Sequence, residues 1–132
     1  MIVRARAITF VSFVSFVSFL SFVSLSSCGG GSPTTPGGGE TISGNERFGW
    51  DQPAADAGEL ATFRYALYLD DVRGEAADVA CDAAPSGGRF PCTSRLPSMG
   101  AGTHTLQVAA FVIDGGVVRE SARSAGVRVN KR

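Results

Sequence analysis

The distribution of apolar and polar positions divides the chain into three parts. Residues 7–25 carry no charge, and most of this stretch repeats a triplet of Phe, an aliphatic residue and Ser. Residues 29–39 contain only Gly, Ser, Pro and Thr. From about residue 46 onward, short stretches of alternating apolar and polar residues are separated by turn-forming residues. This pattern predicts a membrane-directed segment, a flexible spacer and one small folded domain.

The third part alternates with a period of two, which is typical of β-strands. Residues 63–69 place large apolar side chains on one face, and residues 106–113 form the strongest predicted strand. Asp70-Asp71 and Asp114-Gly115-Gly116 suit tight turns after these strands. No window shows sustained helical spacing, so we expect an all-β sandwich. The alternation assigns three aliphatic residues to its core: Leu67, Leu106 and Val108.

The N-terminal segment has the features of an export signal. Arg4 and Arg6 form a short positive flank before the apolar stretch of residues 7–25. A period of three rotates successive Phe side chains around a helix axis, so the rod is apolar on all sides. As a helix this stretch would be about 28 Å long, close to the thickness of a bilayer core. A retained transmembrane helix is therefore the alternative to a cleaved signal peptide.

The end of this segment, Leu25-Ser26-Ser27-Cys28, resembles the lipobox of bacterial lipoproteins. The resemblance implies that residues 1–27 are a signal peptide removed after Ser27. It also implies diacylglycerol on the thiol of Cys28 and acylation of the new amino group. Two or three acyl chains anchor a protein firmly, whereas a single chain binds marginally. Gly29, rather than Asp, follows the cysteine, which favours the outer membrane where the organism has one.

Residues 28–45 are predicted to be a flexible tether to a domain of residues 46–132. The glycine-rich stretch of residues 29–39 has no large apolar side chain whose burial would offset the entropy of ordering it. A phosphate-binding glycine loop needs a strand before it and a helix after it, and neither is predicted here. The tether would hold the domain away from the membrane surface.

Cysteine parity supports this interpretation. An exported protein with three Cys leaves one of them unpaired. If Cys28 carries lipid, Cys81 and Cys92 remain, and we expect them to form a disulfide in an oxidising compartment. A redox-active or metal-binding pair is the alternative, but the spacing is not that of a C-x-x-C motif.

Four stretches of the third part carry a resemblance to a known family: Phe48-Gly49-Trp50-Asp51-Gln52-Pro53, residues 63–70, residues 102–110 and residues 121–129. Together they look like a fibronectin type III domain, a small immunoglobulin-like sandwich, over roughly residues 46–130. The resemblance implies that Trp50 on the second strand and Tyr65 on the third fill the core. The first strand is weak, with only residues 41–43 available. A true immunoglobulin domain is excluded because Trp50 precedes both Cys81 and Cys92.

The residues with chemically reactive side chains do not form a recognisable catalytic set. The charges balance at 12 basic and 12 acidic residues, which argues against a nucleic-acid partner. His104 is the only imidazole, and we expect it to be structural, bonded to backbone at a strand end. The acidic stretch of residues 70–82 is interpreted as a solvated face, with a calcium site as the alternative. No catalytic residue, metal ligand or cofactor is predicted, and Tyr68 is the one candidate for an exposed aromatic.

These observations favour a non-catalytic, lipid-anchored module of the bacterial cell envelope. Its partners would be the membrane, through the lipid, and an envelope protein or a glycan, unless its role is structural. The alternatives are an accessory binding subunit of a secreted or envelope enzyme and a single-pass membrane protein with a retained N-terminal helix.

Overall fold

The computed structural model of the chain describes residues 2–5 and 39–132. Within these ranges the chain forms ten strands and one short helix. In chain order the elements are β1 (Ile2–Arg4), β2 (Glu40–Ile42), β3 (Arg47–Pro53), α1 (Ala57–Leu60), β4 (Arg64–Leu69), β5 (Val72–Glu75), β6 (Ala80–Cys81), β7 (Arg89–Arg95), β8 (Gly102–Asp114), β9 (Val117–Glu120) and β10 (Val127–Lys131).

The strands form two sheets, here named sheet A and sheet B. Sheet A has the order β1-β3-β7-β6, and its last three strands pair antiparallel. Sheet B has the order β2-β10-β8-β4-β5, and β9 also pairs with β8. The long strand β8 lies at the centre of sheet B, antiparallel to β4 on one side and to β10 on the other. The prediction of an all-β sandwich is therefore confirmed.

One apolar core lies between the inner faces of the two sheets. Trp50 of sheet A meets Tyr65 of sheet B, with 4.9 Å between their ring centroids. Aromatic contacts of this kind contribute about 0.5–1.5 kcal/mol beyond the burial of area. The five residues assigned to the core from the sequence are all buried: Trp50, Tyr65, Leu67, Leu106 and Val108.

The folded domain begins earlier than the sequence predicted. Strand β2 starts at Glu40 and pairs parallel with β10, and the side chain of Ile42 is only 1% exposed. The turn after β2 is closed by the carboxylate of Glu46, which accepts hydrogen bonds from the backbone N–H groups of Ser43 at 3.0 Å and Gly44 at 2.8 Å. These donors, with that of Ser43 first, lower the pKa of Glu46 to about 2. The predicted tether of residues 28–45 is thus too long at its C-terminal end, and the weak first strand is present.

The two predicted tight turns are confirmed. Asp70 and Asp71 join β4 to β5 with φ values of 49° and 70°, a conformation that Asp tolerates better than most residues. Gly115 and Gly116 join β8 to β9 with φ values of 57° and 81°. Positive φ at both central residues matches the right-handed twist of the strands that each turn connects.

The C-terminal stretch of the chain forms two strands, β9 and β10, which are separated by residues 121–126. Strands β9 and β10 lie along the same edge of β8, and in the segment between them two serines accept hydrogen bonds from the backbone of β8. The backbone N–H of Ala110 donates to Ser121 Oγ at 3.1 Å, and that of Val108 donates to Ser124 Oγ at 3.0 Å. Each serine hydroxyl therefore takes the place of a backbone carbonyl in the ladder.

The N-terminal predictions lie largely outside the described residues. Residues 6–38, which include most of the predicted signal peptide, Cys28 and most of the tether, are not among them. Residues 2–4 form β1, which pairs parallel with β3 at the edge of sheet A. No helix within residues 2–5 and 39–132 is long and apolar enough to cross a membrane.

Candidate functional site

The disulfide between Cys81 and Cys92 is present and joins β6 to β7. The two residues are directly opposite each other in the register of these strands. Cys92 is 1% exposed, so one end of the bond is set in the core. Strand β6 has only two residues, and the disulfide ties this short strand covalently to the sheet.

His104 lies in β8 with both ring nitrogens engaged. Nδ1 is 2.7 Å from Asp70 Oδ2, and Nε2 is 2.9 Å from the backbone oxygen of Gly100. Both partners are acceptors, so the protonated form of the ring can donate to both of them. The bond to Asp70, followed by the bond to Gly100, raises the pKa of His104. The expected backbone contact is found, and the carboxylate partner is an addition that sequence spacing could not reveal.

Asp70 is hydrogen-bonded to the neighbouring strand β8 through both its side chain and its backbone. Its Oδ1 accepts from the backbone N–H of Thr105 at 2.8 Å, and its own N–H donates to the Thr105 carbonyl at 2.9 Å. The bond from His104 and then that from Thr105 lower the pKa of Asp70. These bonds fasten the turn after β4 to β8.

The acidic stretch of residues 70–82 is distributed over separate ion pairs. Asp71 pairs with Arg123 at 2.7 Å, and Asp78 pairs with Arg95 at 2.7 Å. Glu75 pairs with Arg64 across neighbouring strands. Within the part of the chain that the structure describes, no three His, Cys, Asp or Glu side chains come together as a metal-binding group.

The outer face of sheet B carries a cluster that we name the arginine–aromatic face: Arg64, Tyr68, Arg73, Phe111, Glu120 and Arg123. Phe111 and Tyr68 are 4% and 8% exposed although they point away from the main core. The guanidinium of Arg123 lies 3.9 Å from the centroid of the Tyr68 ring. Those of Arg73 and Arg64 lie 5.0 Å and 5.4 Å from the centroid of Phe111. Such cation–π contacts cover apolar rings with charged groups that remain in water.

Glu120 connects the two halves of this face. Its carboxylate accepts a hydrogen bond from the Tyr68 hydroxyl and another from Arg73 Nε at 2.9 Å. Desolvation raises the pKa of Glu120, but the bonds from Tyr68 and Arg73 outweigh it, and the net shift is downward. The same bond to Glu120 raises the pKa of Tyr68. The expectation that Tyr68 would be an exposed aromatic is therefore wrong, because Arg123 and Glu120 cover it.

A cavity of about 390 Å³ opens between the two sheets beside α1 and the disulfide. Its lining is mostly apolar and includes Leu60, Phe63, Tyr65, Ala76 and Cys81. The Tyr65 hydroxyl is buried without a hydrogen-bond partner among the described residues, and burial raises its pKa. Arg64 and Glu75 also line the cavity, and they form an ion pair with each other.

Comparison with models of protein families, with curated proteins and with solved structures finds no match for this chain. The described part of the chain offers three distinct surfaces: the arginine–aromatic face, the cavity beside α1, and the edge of β3 on which β1 lies. Sequence patterns did not indicate the last of these, because an edge is defined only once the strand order is known.

Proposed function

We propose that this protein is a non-catalytic module of the bacterial cell envelope, anchored to a membrane by lipid on Cys28. In this proposal residues 1–27 are removed as a signal peptide, and a glycine-rich tether of about residues 28–38 carries the sandwich. The sandwich is of the fibronectin type III-like kind, with Trp50 and Tyr65 in its core. Its role is to bind another envelope protein or to support the envelope.

The observation that carries this proposal is the pairing of cysteines. Cys81 and Cys92 are joined to each other, which leaves Cys28 as the unpaired cysteine of the chain. Disulfides persist in oxidising compartments such as the periplasm or the cell surface, so the bond supports export. Cys28 also stands at the lipobox position between an apolar segment and a flexible spacer.

The side-chain chemistry of the domain supports a binding or structural role. Both ring nitrogens of His104 are hydrogen-bonded, and three of the carboxylates in residues 70–82 are paired with arginines. The Tyr68 ring lies beneath Arg123, which removes the one aromatic platform suggested for glycan stacking. We therefore favour a protein over a glycan as the partner.

The test is to express the full chain in a Gram-negative host and compare it with Cys28→Ser. We expect the native chain to fractionate with membranes, to incorporate labelled palmitate and to begin at Cys28 by mass spectrometry. Cys28→Ser should lose the label and the cleavage after Ser27. The matched control is Ser27→Ala, which keeps a small residue before the cysteine and should be processed normally.

Two results would contradict the proposal. A native protein that begins at Met1 and carries no fatty acid would exclude lipid anchoring. A native protein that keeps residues 1–27 and fractionates with membranes without any label would favour the alternative of a retained N-terminal helix.

A further inference from the structure

Strand β1 is an edge strand of sheet A, and its side chains alternate between the core and the outside. The register pairs Val3 with Phe48, and the backbone N–H of Ala5 donates to the carbonyl of Gly49 at 2.7 Å. Val3 is fully buried and Ala5 is 4% exposed, and both belong to the main core. Ile2 and Arg4 point to the opposite side of the strand, over Gly49.

This occupant would be absent from the processed protein, a step that rests on the proposed function. Residues 2–5 belong to the segment that is removed after Ser27. Sheet A has the order β1-β3-β7-β6, so the described residues supply no other strand on that side of β3. An uncovered edge exposes unpaired backbone groups, which readily pair with another strand. Removal of Val3 and Ala5 also uncovers part of the apolar core.

We propose that the edge of β3 in the processed protein binds an extended segment of a partner protein. The segment adds to sheet A as a parallel strand and places apolar side chains the size of Val and Ala, two positions apart, into the core. Binding by strand addition combines backbone hydrogen bonds, which give affinity, with pockets for alternate side chains, which give specificity. The leader segment Ile2–Ala5 shows the shape of the ligand that this edge accepts.

Gly49 lies where β1 approaches β3 most closely, and it leaves room for the side chains of the strand at this edge. A Cβ atom at this position would lie 2.7 Å from Ile2 Cγ2, which is too close, and 3.5 Å from Arg4 Cγ. Apart from these two residues, its nearest neighbour would be the backbone oxygen of Cys92 at the ordinary distance of 3.6 Å. Gly49 is not among the glycines with positive φ, so backbone conformation does not require a glycine here. What requires it is the close approach of a strand bearing a side chain at the Ile2 position.

Other occupants fit this edge less well. The tether, residues 29–38, has no large apolar side chain to replace Val3. In a second copy the corresponding edge is β3 itself, whose inward side chains include Phe48 and Trp50. Both rings are larger than the side chains they would have to replace, Val3 and Ala5. A partner segment with small apolar residues is therefore the occupant that we infer.

The experiment uses the processed lipoprotein in detergent, with its N-terminus at Cys28 verified by intact mass. The probe is a labelled, end-capped peptide of residues 2–7, and binding is followed by fluorescence anisotropy. We expect saturable binding of this peptide and none of the Val3→Asp peptide. Gly49→Ala should weaken binding about tenfold or more, because an added methyl group overlaps Ile2. The Ile2→Gly peptide should bind Gly49→Ala and the native protein equally well, because it removes the overlapping atom.

The controls separate this inference from the proposed function. Gly49→Ala should have a native urea midpoint in the processed protein, which shows that lost binding is not lost folding. A correct N-terminus at Cys28 without peptide binding would overturn the strand-addition proposal alone. Equal affinity of the native protein and Gly49→Ala for the unmodified peptide of residues 2–7, or a dimer that excludes this peptide, would also overturn it. An N-terminus at Met1 would overturn both proposals.

Discussion

Tyr65 shows how a single buried hydroxyl can reduce the stability of a small core. Its ring packs on Trp50, yet its hydroxyl has no hydrogen-bond partner within the described ranges. A buried polar group without a partner loses its hydrogen bonds to water and forms no hydrogen bond within the protein to replace them. We expect Tyr65→Phe to raise the free energy of unfolding by about 1 kcal/mol. Urea denaturation of the two proteins measures the difference.

The control for this variant is Leu67→Ala, a buried neighbour on the same strand, which should cost about 2–5 kcal/mol. Destabilisation of the protein by more than about 1 kcal/mol in Tyr65→Phe would show that the hydroxyl has a hydrogen-bond partner in solution.

The His104–Asp70 pair predicts how stability depends on pH. The pKa of His104 is raised on folding, so its contribution is complete below the unfolded pKa of about 6.5 and is lost as the pH rises through the folded pKa. The pKa of Asp70 is lowered, so its contribution is lost only as the pH falls through that lowered value. We therefore expect the urea midpoint to be higher at about pH 5.5 than at about pH 8.5.

Two variants check that this pair is the cause. His104→Gln removes the titrating group, and Asp70→Asn removes the carboxylate while tolerating the positive φ at this position. Both should show a smaller fall in the urea midpoint between the two pH values than the native protein. An unchanged fall in both variants would assign the pH dependence to other groups.

At the residue scale, the sequence predicted which side chains are buried in the core, but it missed the contacts between side chains that are distant in the sequence. Leu67, Leu106 and Val108 were placed in the core because the alternation of a strand is a local property. The contact of His104 with Asp70 joins residues that are 34 positions apart, and the cover of Tyr68 by Arg123 joins residues on different elements. Such contacts depend on register and on side-chain direction, which a single sequence does not display.

At the element scale, the disulfide should contribute a large part of the stability of the domain. It closes a loop with a sequence separation of 11 residues, for which loop entropy predicts about 3 kcal/mol. We expect reduction to lower the free energy of unfolding by about 2–4 kcal/mol, measured by urea denaturation with and without reductant. Reduction changes no core volume, whereas Cys92→Ala also removes buried atoms and should cost more.

Equal urea midpoints with and without reductant would contradict this expectation, provided that thiol alkylation verifies complete reduction. Such a result would mean that strand β6 adds nothing to the cooperative fold.

The elements that the sequence missed are short or depend on distant neighbours. Helix α1 has four residues, too few for a helical period, although Asp56 caps it by accepting from the backbone N–H of Glu59 at 2.8 Å. Strand β2 has three residues and exists because β10 lies beside it. The long strand β8 was recognisable because its many alternating apolar positions give a strong local pattern.

At the scale of the whole molecule, the sequence predicted the sandwich but could not reveal its edges. Turn residues and alternation were enough for the fold class, since both are read locally. Strand order is a property of the assembled sheets, so the edge of β3 and the proximity of β2 to β10 emerged only from the structure. For the same reason the candidate strand-binding edge had no sequence signature apart from Gly49.

The parallel pairing of β2 with β10 bears on how the domain would respond to mechanical force. In the processed protein proposed above, the chain would enter the domain at the start of β2 and leave it after the end of β10, so the two ends of the domain would be neighbouring strands that run in the same direction. Tension between a membrane-held N-terminal end and the C-terminus would pull these strands in opposite directions along their length. The load is then shear, in which the hydrogen bonds between the strands resist together, rather than peeling, in which they break one at a time.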